Sequence, residues 1–235
     1  MISADEQKAQ AASEALKFVQ EGMLLGLGTG STAAHFVRQL GAKVAQGFKI
    51  AGVPTSIATE ELAKEVGVPL LNIDEITTLD LVIDGADESD NKLNLIKGGG
   101  AALLREKVIA QASKHMIVIA DESKLVSKLG KFPLPIEIIQ FATTITINQI
   151  KLVLEQCGVK GLVMAIRQKD GKSLITDNGN YILDCQCLEI PDPETLCIEL
   201  NKIPGVVENG IFPNFKGAKR TLILGSPNGA RVIEI

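Results

Sequence analysis

The 235-residue chain has no tryptophan, one tyrosine and seven phenylalanines, so aromatic residues make up only 3% of it. There is thus no row of side chains on which bases could stack, and the core has to be built from Ile, Leu, Val and Ala. A basic excess is lacking too. The 24 Lys and Arg stand against 28 Asp and Glu, a net charge of −4, which argues against a nucleic-acid surface. No apolar run reaches the roughly 18 uninterrupted residues of a membrane helix. The N-terminal Met1-Ile2-Ser3-Ala4-Asp5-Glu6 carries acids where a secretion signal carries bases. A cytoplasmic protein without nucleic-acid or membrane partners is expected. Cys157, Cys185, Cys187 and Cys197 form no Cys-x-x-Cys pair, so buried reduced thiols are expected rather than a zinc site or a disulfide framework. His35 and His115 accompany neither a nucleophile nor a metal-ligating cluster, and packing or surface roles are expected for both.

What is present is the composition of a folded globular protein, with 46% hydrophobic and 22% charged residues in a length that suits one large domain or two small ones. The first part alternates short apolar runs with helix-like segments, the pattern of a largely parallel sheet covered by helices. Strands are expected at Met23–Leu27, Lys49–Val53, Leu70–Ile73, Leu79–Ile83 and Met116–Ala120. Helices are expected at Asp5–Val19, Ser31–Leu40, Ser56–Val66 and Ala101–Ala112. The prolines of Phe132-Pro133-Leu134-Pro135 oppose helix and mark a connection. Beyond it the pattern becomes α+β: a strand at Ile136–Gln140, a helix at Ile147–Gln156, extended runs at Gly161–Gln168, Ser173–Thr176 and Tyr181–Gln186, a helix at Pro193–Asn201 and a strand at Val206–Phe212. Lys169-Asp170-Gly171-Lys172 and Asp177-Asn178-Gly179-Asn180 read as hairpin turns, because Asp-Gly and Asn-Gly tolerate positive φ. The runs Thr221–Leu224 and Val232–Ile235 are expected to return to the first domain. This gives residues 1–131 with 213–235 as one domain and 132–212 as the other.

Polar residues follow the expected strands at Thr29/Ser31, Thr55/Ser56, Asp84/Asp87 and Asp121/Lys124. In open α/β sheets the ligand crevice lies outside the carboxyl ends of the strands, so residues far apart in sequence can meet there. Gly26-Leu27-Gly28-Thr29-Gly30-Ser31-Thr32-Ala33 lies between a strand and a helix, where backbone amides and hydroxyls could cradle a phosphate. From Gly28 it fits the dinucleotide pattern, yet no Asp or Glu lies between Ala33 and Thr59 to hold a ribose, which counts against NAD. No Gly-Lys-Ser or Gly-Lys-Thr ends the turn, which counts against a nucleoside triphosphate. A tight turn serving only helix–strand packing remains the alternative.

The densest chemistry lies in Asp84-Gly85-Ala86-Asp87-Glu88 and Lys97-Gly98-Gly99-Gly100-Ala101-Ala102-Leu103-Leu104-Arg105-Glu106-Lys107. Paired carboxylates, a lysine, a triple-glycine turn and a helix-borne glutamate are what proton transfer on a phosphorylated substrate requires. Asp84 and Asp87 follow the apolar run Leu81-Val82-Ile83, and a solvated turn is the alternative reading. They match no EF-hand spacing, and no metal is expected. On a helix the neighbours of Glu106 at i±3 and i±4 are Ala102, Leu103, Ile109 and Ala110, all apolar. A carboxylate on an apolar stripe is costly unless it faces a cleft or changes its protonation, the setting of a general base with a raised pKa; a Glu reaching solvent at the stripe's edge is the bland reading. Lys124 could bring positive charge to the same crevice, or simply be exposed.

Together with Gly130-Lys131-Phe132-Pro133-Leu134-Pro135, Asp177-Asn178-Gly179-Asn180 and Ile203-Pro204-Gly205-Val206-Val207, these motifs in this order closely resemble ribose-5-phosphate isomerase of the A type over nearly the whole chain. The resemblance implies an α/β fold with a Rossmann-like mostly parallel sheet and a second, smaller α+β (ferredoxin-like) domain. It implies reversible conversion of ribose 5-phosphate to ribulose 5-phosphate in the pentose phosphate pathway, with no cofactor or metal, by a homodimer or higher homo-oligomer. It implies that Glu106 moves a proton between C2 and C1 through an enediolate, and that Asp84, Asp87 and Lys97 surround the reacting oxygens. Substrate binding is implied for Thr29, Gly30, Ser31, Thr32, Asp84, Gly85, Ala86, Asp87, Lys97, Gly98, Gly99, Gly100 and Lys124, with Lys8 as a further phosphate contact. A non-catalytic sugar-phosphate sensor, and a related deaminase or coenzyme A transferase, are the alternatives. Retention of Lys97 and Glu106 opposes the first, and neither of the others' catalytic settings is evident.

Overall fold

A computed structural model describes residues 2–160, 162–214 and 219–234. In chain order the elements are α1 (Ala4–Ala15), β1 (Leu24–Leu27), α2 (Ser31–Val44), β2 (Ala51–Pro54), α3 (Ile57–Glu65), β3 (Leu81–Gly85), β4 (Glu88–Ser89) and β5 (Leu95–Ile96). There follow α4 (Leu103–Ala112), β6 (His115–Asp121), β7 (Leu134–Ile138), α5 (Thr143–Gln156), β8 (Val163–Ile166), β9 (Gln168–Lys169) and β10 (Lys172–Ser173). The chain ends with β11 (Tyr181–Gln186), α6 (Pro193–Leu200), β12 (Val206–Asn209), β13 (Ile211–Phe212), β14 (Lys219–Ser226) and β15 (Gly229–Glu234). Among the described residues, no helix is long and apolar enough to cross a membrane.

The chain forms two compact units: Met1–Ala86, Arg105–Lys124 and Phe215–Ile235 in the first, Asp87–Leu104 and Leu125–Asn214 in the second. The expected cut near Phe132 therefore differs from the contact pattern, which gives the second unit the segment with Asp87 and Lys97.

In the first unit six strands run in the order β15-β14-β6-β3-β1-β2, all parallel except β15. The first four residues of β3 and the last six of β6 are buried, as befits strands covered on both faces. Their Ile83, Ile117 and Ile119 pack with Leu25, Leu27, Phe36, Leu40 and Ile223. From β1 the chain moves outward to β2 and returns to β3 on the other side of β1. The carboxyl ends of β1 and β3 thus form a topological switch point, where the turns leave in opposite directions and open a crevice. Local signals set the helices. Ser3 and Glu6 form a reciprocal capping box at α1, and Ser56 accepts from Thr59 N–H at α3.

The second unit contains a β-α-β-β-α-β sequence, β7-α5-β8-β11-α6-β12, whose antiparallel strands lie in the order β12-β7-β11-β8, a ferredoxin-like arrangement. A small sheet, β13-β5-β4, belongs to the same unit. The Asp177–Asn180 turn is fixed from beneath. The buried Glu137 Oε1 accepts from Thr176 Oγ1 at 2.9 Å, Asn180 Nδ2 at 2.9 Å and Asn178 Nδ2 at 3.3 Å.

Three expectations are corrected. Leu70–Ile73 is not a strand: Leu70 makes one parallel bridge to Gly52, after which Asn72 caps a 3-10 turn through Asp74 N–H. Val206–Phe212 is two strands in different sheets, because Gly210 N–H turns to Pro135 C=O and Asn209 Oδ1 takes the Ile211 N–H. Pro135 lies inside β7 and not in a connection. A residue's N and O point to the same side of a strand, and the β12 ladder ends at Asn209 opposite Ile136, so no ladder partner there needs the N–H that proline lacks. Gly161 and Ile235, the ends of two expected strands, lie outside the described residues.

Both histidines are structural. His35 Nε2 meets Asp5 Oδ1 at 2.8 Å, tying α2 to α1, and His115 Nε2 meets Thr221 Oγ1 at 2.8 Å. Burial, with Lys219 adding to it, holds the His115 pKa below its ordinary 6.5, and Glu234 opposes this only in part. The unfolded chain then takes up a proton before the folded one does, so this group's contribution to stability falls as pH drops through 6.5 toward the lowered value. The loss of urea-midpoint stability between about pH 7.5 and pH 5.5 is expected to be smaller in His115→Gln than in the wild type. An equal or larger loss would contradict this.

Candidate active site

The first unit gathers polar side chains at the switch point. Gly28 N–H closes β1 onto Ile83 C=O, and Thr29 N–H then donates to Asp84 Oδ1 at 3.0 Å. Asp84 is wholly buried at the end of β3, and its Oδ1 also accepts Gly85 N–H at 2.7 Å. A buried carboxylate therefore orients the glycine turn from below. From the side, Thr29 Oγ1 lies 2.7 Å from Thr55 Oγ1 and donates to Ser56 Oγ at 2.8 Å; Thr59 Oγ1 closes the relay onto Gly28 C=O at 2.9 Å. Thr55, Ser56 and Thr59 are buried, so the hydroxyls after β2 fix the turn after β1. Gly30, at φ +103°, is the N-cap of α2, which starts with Ser31 and Thr32, and Ala34 N–H makes the first helical bond back to it. The amides ahead of that bond form a helix N-terminus suited to an anion. Lys8 Nζ from α1 reaches Ser31 Oγ at 3.0 Å and adds positive charge there.

Glu106 belongs to the first turn of α4 and is only 4% exposed. A Cβ on Gly26 would lie 2.6 Å from Ile109 Cγ2, so α4 crosses directly over β1. The helix runs back toward the start of the parallel strand β6. Glu106, one turn before Ile109, is thus on the same face and nearer the carboxyl ends, where the positive end of the helix dipole favours a negative charge. Lys124 ends a 3-10 turn at the carboxyl end of β6, the strand next to β3.

The second unit holds the other predicted residues. Asp87 N–H donates to Ile96 C=O, and Asp87 Oδ2 accepts Gly99 N–H at 2.7 Å, binding the acid to the triple-glycine turn. Lys97, 2% exposed, has its Nζ 5.5 Å from the Phe212 ring centroid, a cation–π distance. Glu88 accepts Gly130 N–H at 2.8 Å and Phe132 N–H at 2.7 Å, so the Gly130–Pro135 motif is held by the acid next to Asp87. Gly85 and Ala86 carry the chain from Asp84 to Asp87. All four cysteines are free thiols, with burial pushing Cys187 up to about 12. Among the described residues, no three of His, Cys, Asp and Glu could jointly hold a metal ion.

A model of the family described as ribose 5-phosphate isomerase A (phosphoriboisomerase A) matches residues 51–229. The chain is 52% identical over 233 residues to ribose-5-phosphate isomerase A of Rhodopseudomonas palustris (strain BisB18), covering 99% of each. The chain belongs to the ribose 5-phosphate isomerase A family. It is likewise 52% identical over 232 residues to the isomerase of Rhizobium meliloti (strain 1021). Among solved structures, a D-ribose-5-phosphate isomerase in complex with phospho-erythronic acid has a TM-score of 0.91 at 42% identity, with both chains fully covered. The isomerase of Plasmodium falciparum has a TM-score of 0.91 at 36% identity over 98% of this chain and 99% of that one. Members of the ribose 5-phosphate isomerase A family are aldose–ketose isomerases, and this chain is one of these enzymes.

Within each unit the structure groups the predicted residues: Thr29 with Asp84 and Ser31 with Lys8 in the first, Asp87 with Gly99 in the second. Thr59 and Arg167 were missed as supports of this family's glycine turns. The Ser56-x-x-Thr59 spacing of a helix cap could have flagged Thr59; for Arg167 the sequence offers no signal, since its partners lie 17 and about 70 residues away.

Proposed function

We propose that the protein interconverts D-ribose 5-phosphate and D-ribulose 5-phosphate, in the non-oxidative pentose phosphate pathway, without metal or organic cofactor and as a homo-oligomer. The observation that carries this is family membership over the whole chain, with Lys97 and Glu106 both retained and both buried.

Glu106 takes the C2 proton of the open-chain aldose. The C2–H electron pair forms the C1–C2 double bond, and the carbonyl π pair moves onto O1, giving an enediolate. A proton then passes from O2 to O1, the O2 pair forms C2=O2, and the C1=C2 pair takes back from Glu106 the proton that ends on C1, giving the neutral ketose. Lys97 and the amides of the Gly98–Gly100 turn offset the charge that builds on oxygen. Asp84 and Asp87 hold the hydroxyl protons and assist ring opening. Gly30, Ser31 and Thr32, with Lys8 and Lys124, bind the phosphate, and Thr29 with Asp84 shapes that turn. Anchoring the phosphate orients a small, flexible sugar and so converts binding into rate. The bound phospho-erythronic acid of the similar enzyme fits this reading, since a sugar acid presents a planar anionic group beside hydroxyls and a phosphate.

Purified, chelator-treated protein is expected to form ketose from ribose 5-phosphate at a catalytic rate. Binding of the sugar phosphate without ketose formation would instead favour a sensor.

A further inference from the structure

We infer that Arg167 is a positioning residue for the Gly98–Gly100 turn, through a guanidinium held by Asp184 and spent on two consecutive backbone carbonyls. The inference rests on the proposed isomerase chemistry of that turn and adds a residue that no motif includes.

Arg167 follows β8, and its backbone is pinned on both sides, with N–H donating to Ile182 C=O at 2.8 Å and C=O accepting Leu174 N–H at 2.9 Å. Its Nε and Nη2 pair in a fork with Asp184 Oδ2 and Oδ1, at 2.8 and 2.5 Å. The side chain is 15% exposed, and the fork fixes the plane of the guanidinium. Nη1 remains, and it donates to Gly98 C=O at 2.9 Å and Gly99 C=O at 3.0 Å.

Peptide planarity gives this contact its consequence. In a trans peptide the N–H points opposite to the C=O. With Gly98 C=O held by Arg167, Gly99 N–H must point away from it, and it donates to Asp87 Oδ2 at 2.7 Å. With Gly99 C=O held by the same Nη1, Gly100 N–H is turned away from the guanidinium as well. One cation thereby sets two successive peptide planes in a flexible three-glycine segment, adding to the Ala101 N–H that Gly98 C=O accepts at 3.0 Å and to the Asp87 carboxylate that holds Gly99 N–H. Gly100 N–H and the Asp87 carboxylate, which Gly99 N–H orients, belong to the set proposed to face the reacting oxygens, and preorganised groups cost no reorganisation as charge develops. A lysine cannot replace Arg167, because a single ammonium cannot fork onto Asp184 and still span two carbonyls.

The test compares wild type, Arg167→Lys, Arg167→Ala and Asp184→Asn. Amide hydrogen exchange at residues 98–101 of the substrate-free protein is expected to accelerate about tenfold or more in the Arg167 variants, with protection of β7 and β11 unchanged. Turnover is expected to fall about 10-fold to 10²-fold with KM within about threefold, as for a misaligned donor array. Asp184→Asn is expected to give a smaller change in the same direction, and guanidinium ion, but not ammonium, to restore part of the Arg167→Ala rate. Unchanged exchange at 98–101, exchange accelerated throughout the unit, or turnover within twofold of wild type would each overturn the inference. The exchange readout needs no catalysis. If Glu106→Gln kept full activity, the chemical reading would fail while the local exchange result still decided whether Arg167 holds the turn.

Discussion

Glu106→Gln is expected to lower kcat by about 10²-fold or more and to leave KM within about threefold, read from ketose formation at saturating and limiting ribose 5-phosphate. Glutamine keeps the shape of the side chain and one acceptor oxygen, but its amide cannot accept a proton from carbon. The residue is 4% exposed on a helix that crosses over β1 at Gly26, so an isosteric amide leaves the packing in place. A fall in kcat without weaker binding is what removing a group that acts only in the transition state produces. Calorimetric titration with a phosphorylated sugar acid should show binding retained. Turnover within a few-fold of wild type would remove Glu106 from its role.

Gly28→Ala is expected to act through the other half of the first unit, with a loss of stability of about 1–3 kcal/mol and a fall in turnover of about 10²-fold. A Cβ at this position would lie 2.2 Å from Asp84 Oδ1 and 2.5 Å from Asp84 Cα. The side-chain oxygen could swing away, but only by giving up the Thr29 and Gly85 amides; the backbone carbon cannot move without parting β3 from β1. Either way the turn proposed to hold the phosphate loses its register on the sheet. Urea denaturation and ketose formation on the same preparation check both effects, and an alanine variant with wild-type midpoint and rate would show that the turn has slack.

Much of the fold was legible because its signals are local. The apolar runs at β1, β3 and β6 and the Asp170-Gly171 turn, with φ +52° and +75°, each depend on residues within a few positions. The failures share a cause. Leu70–Ile73 has the composition of a strand, but one bridge to Gly52 exhausts its pairing. Pro135 breaks the local rule for strands and is accommodated by where a ladder some 70 residues away happens to end. The strands β4, β5 and β13 are two residues each, too short to show periodicity, yet they carry Glu88 beside Asp87, adjoin Lys97 and hold Phe212.

By itself the sequence determined the ordered motifs, and with them the family, because acid, base and glycine identities at fixed spacing are written in the chain. It also made Glu106, ahead of the more conspicuous Asp84 and Asp87, the expected proton carrier, since the 3.6-residue helical period places its neighbours without any tertiary knowledge. Only the tertiary structure decided how the glycine turns are held: Asp84 under Thr29, the hydroxyls of Thr55, Ser56 and Thr59 beside it, and Arg167 with Asp184 behind Gly98 and Gly99. Those contacts join residues from 17 to 69 positions apart, and a hydrogen bond is set by distance and angle in space, which no separation along a chain can supply.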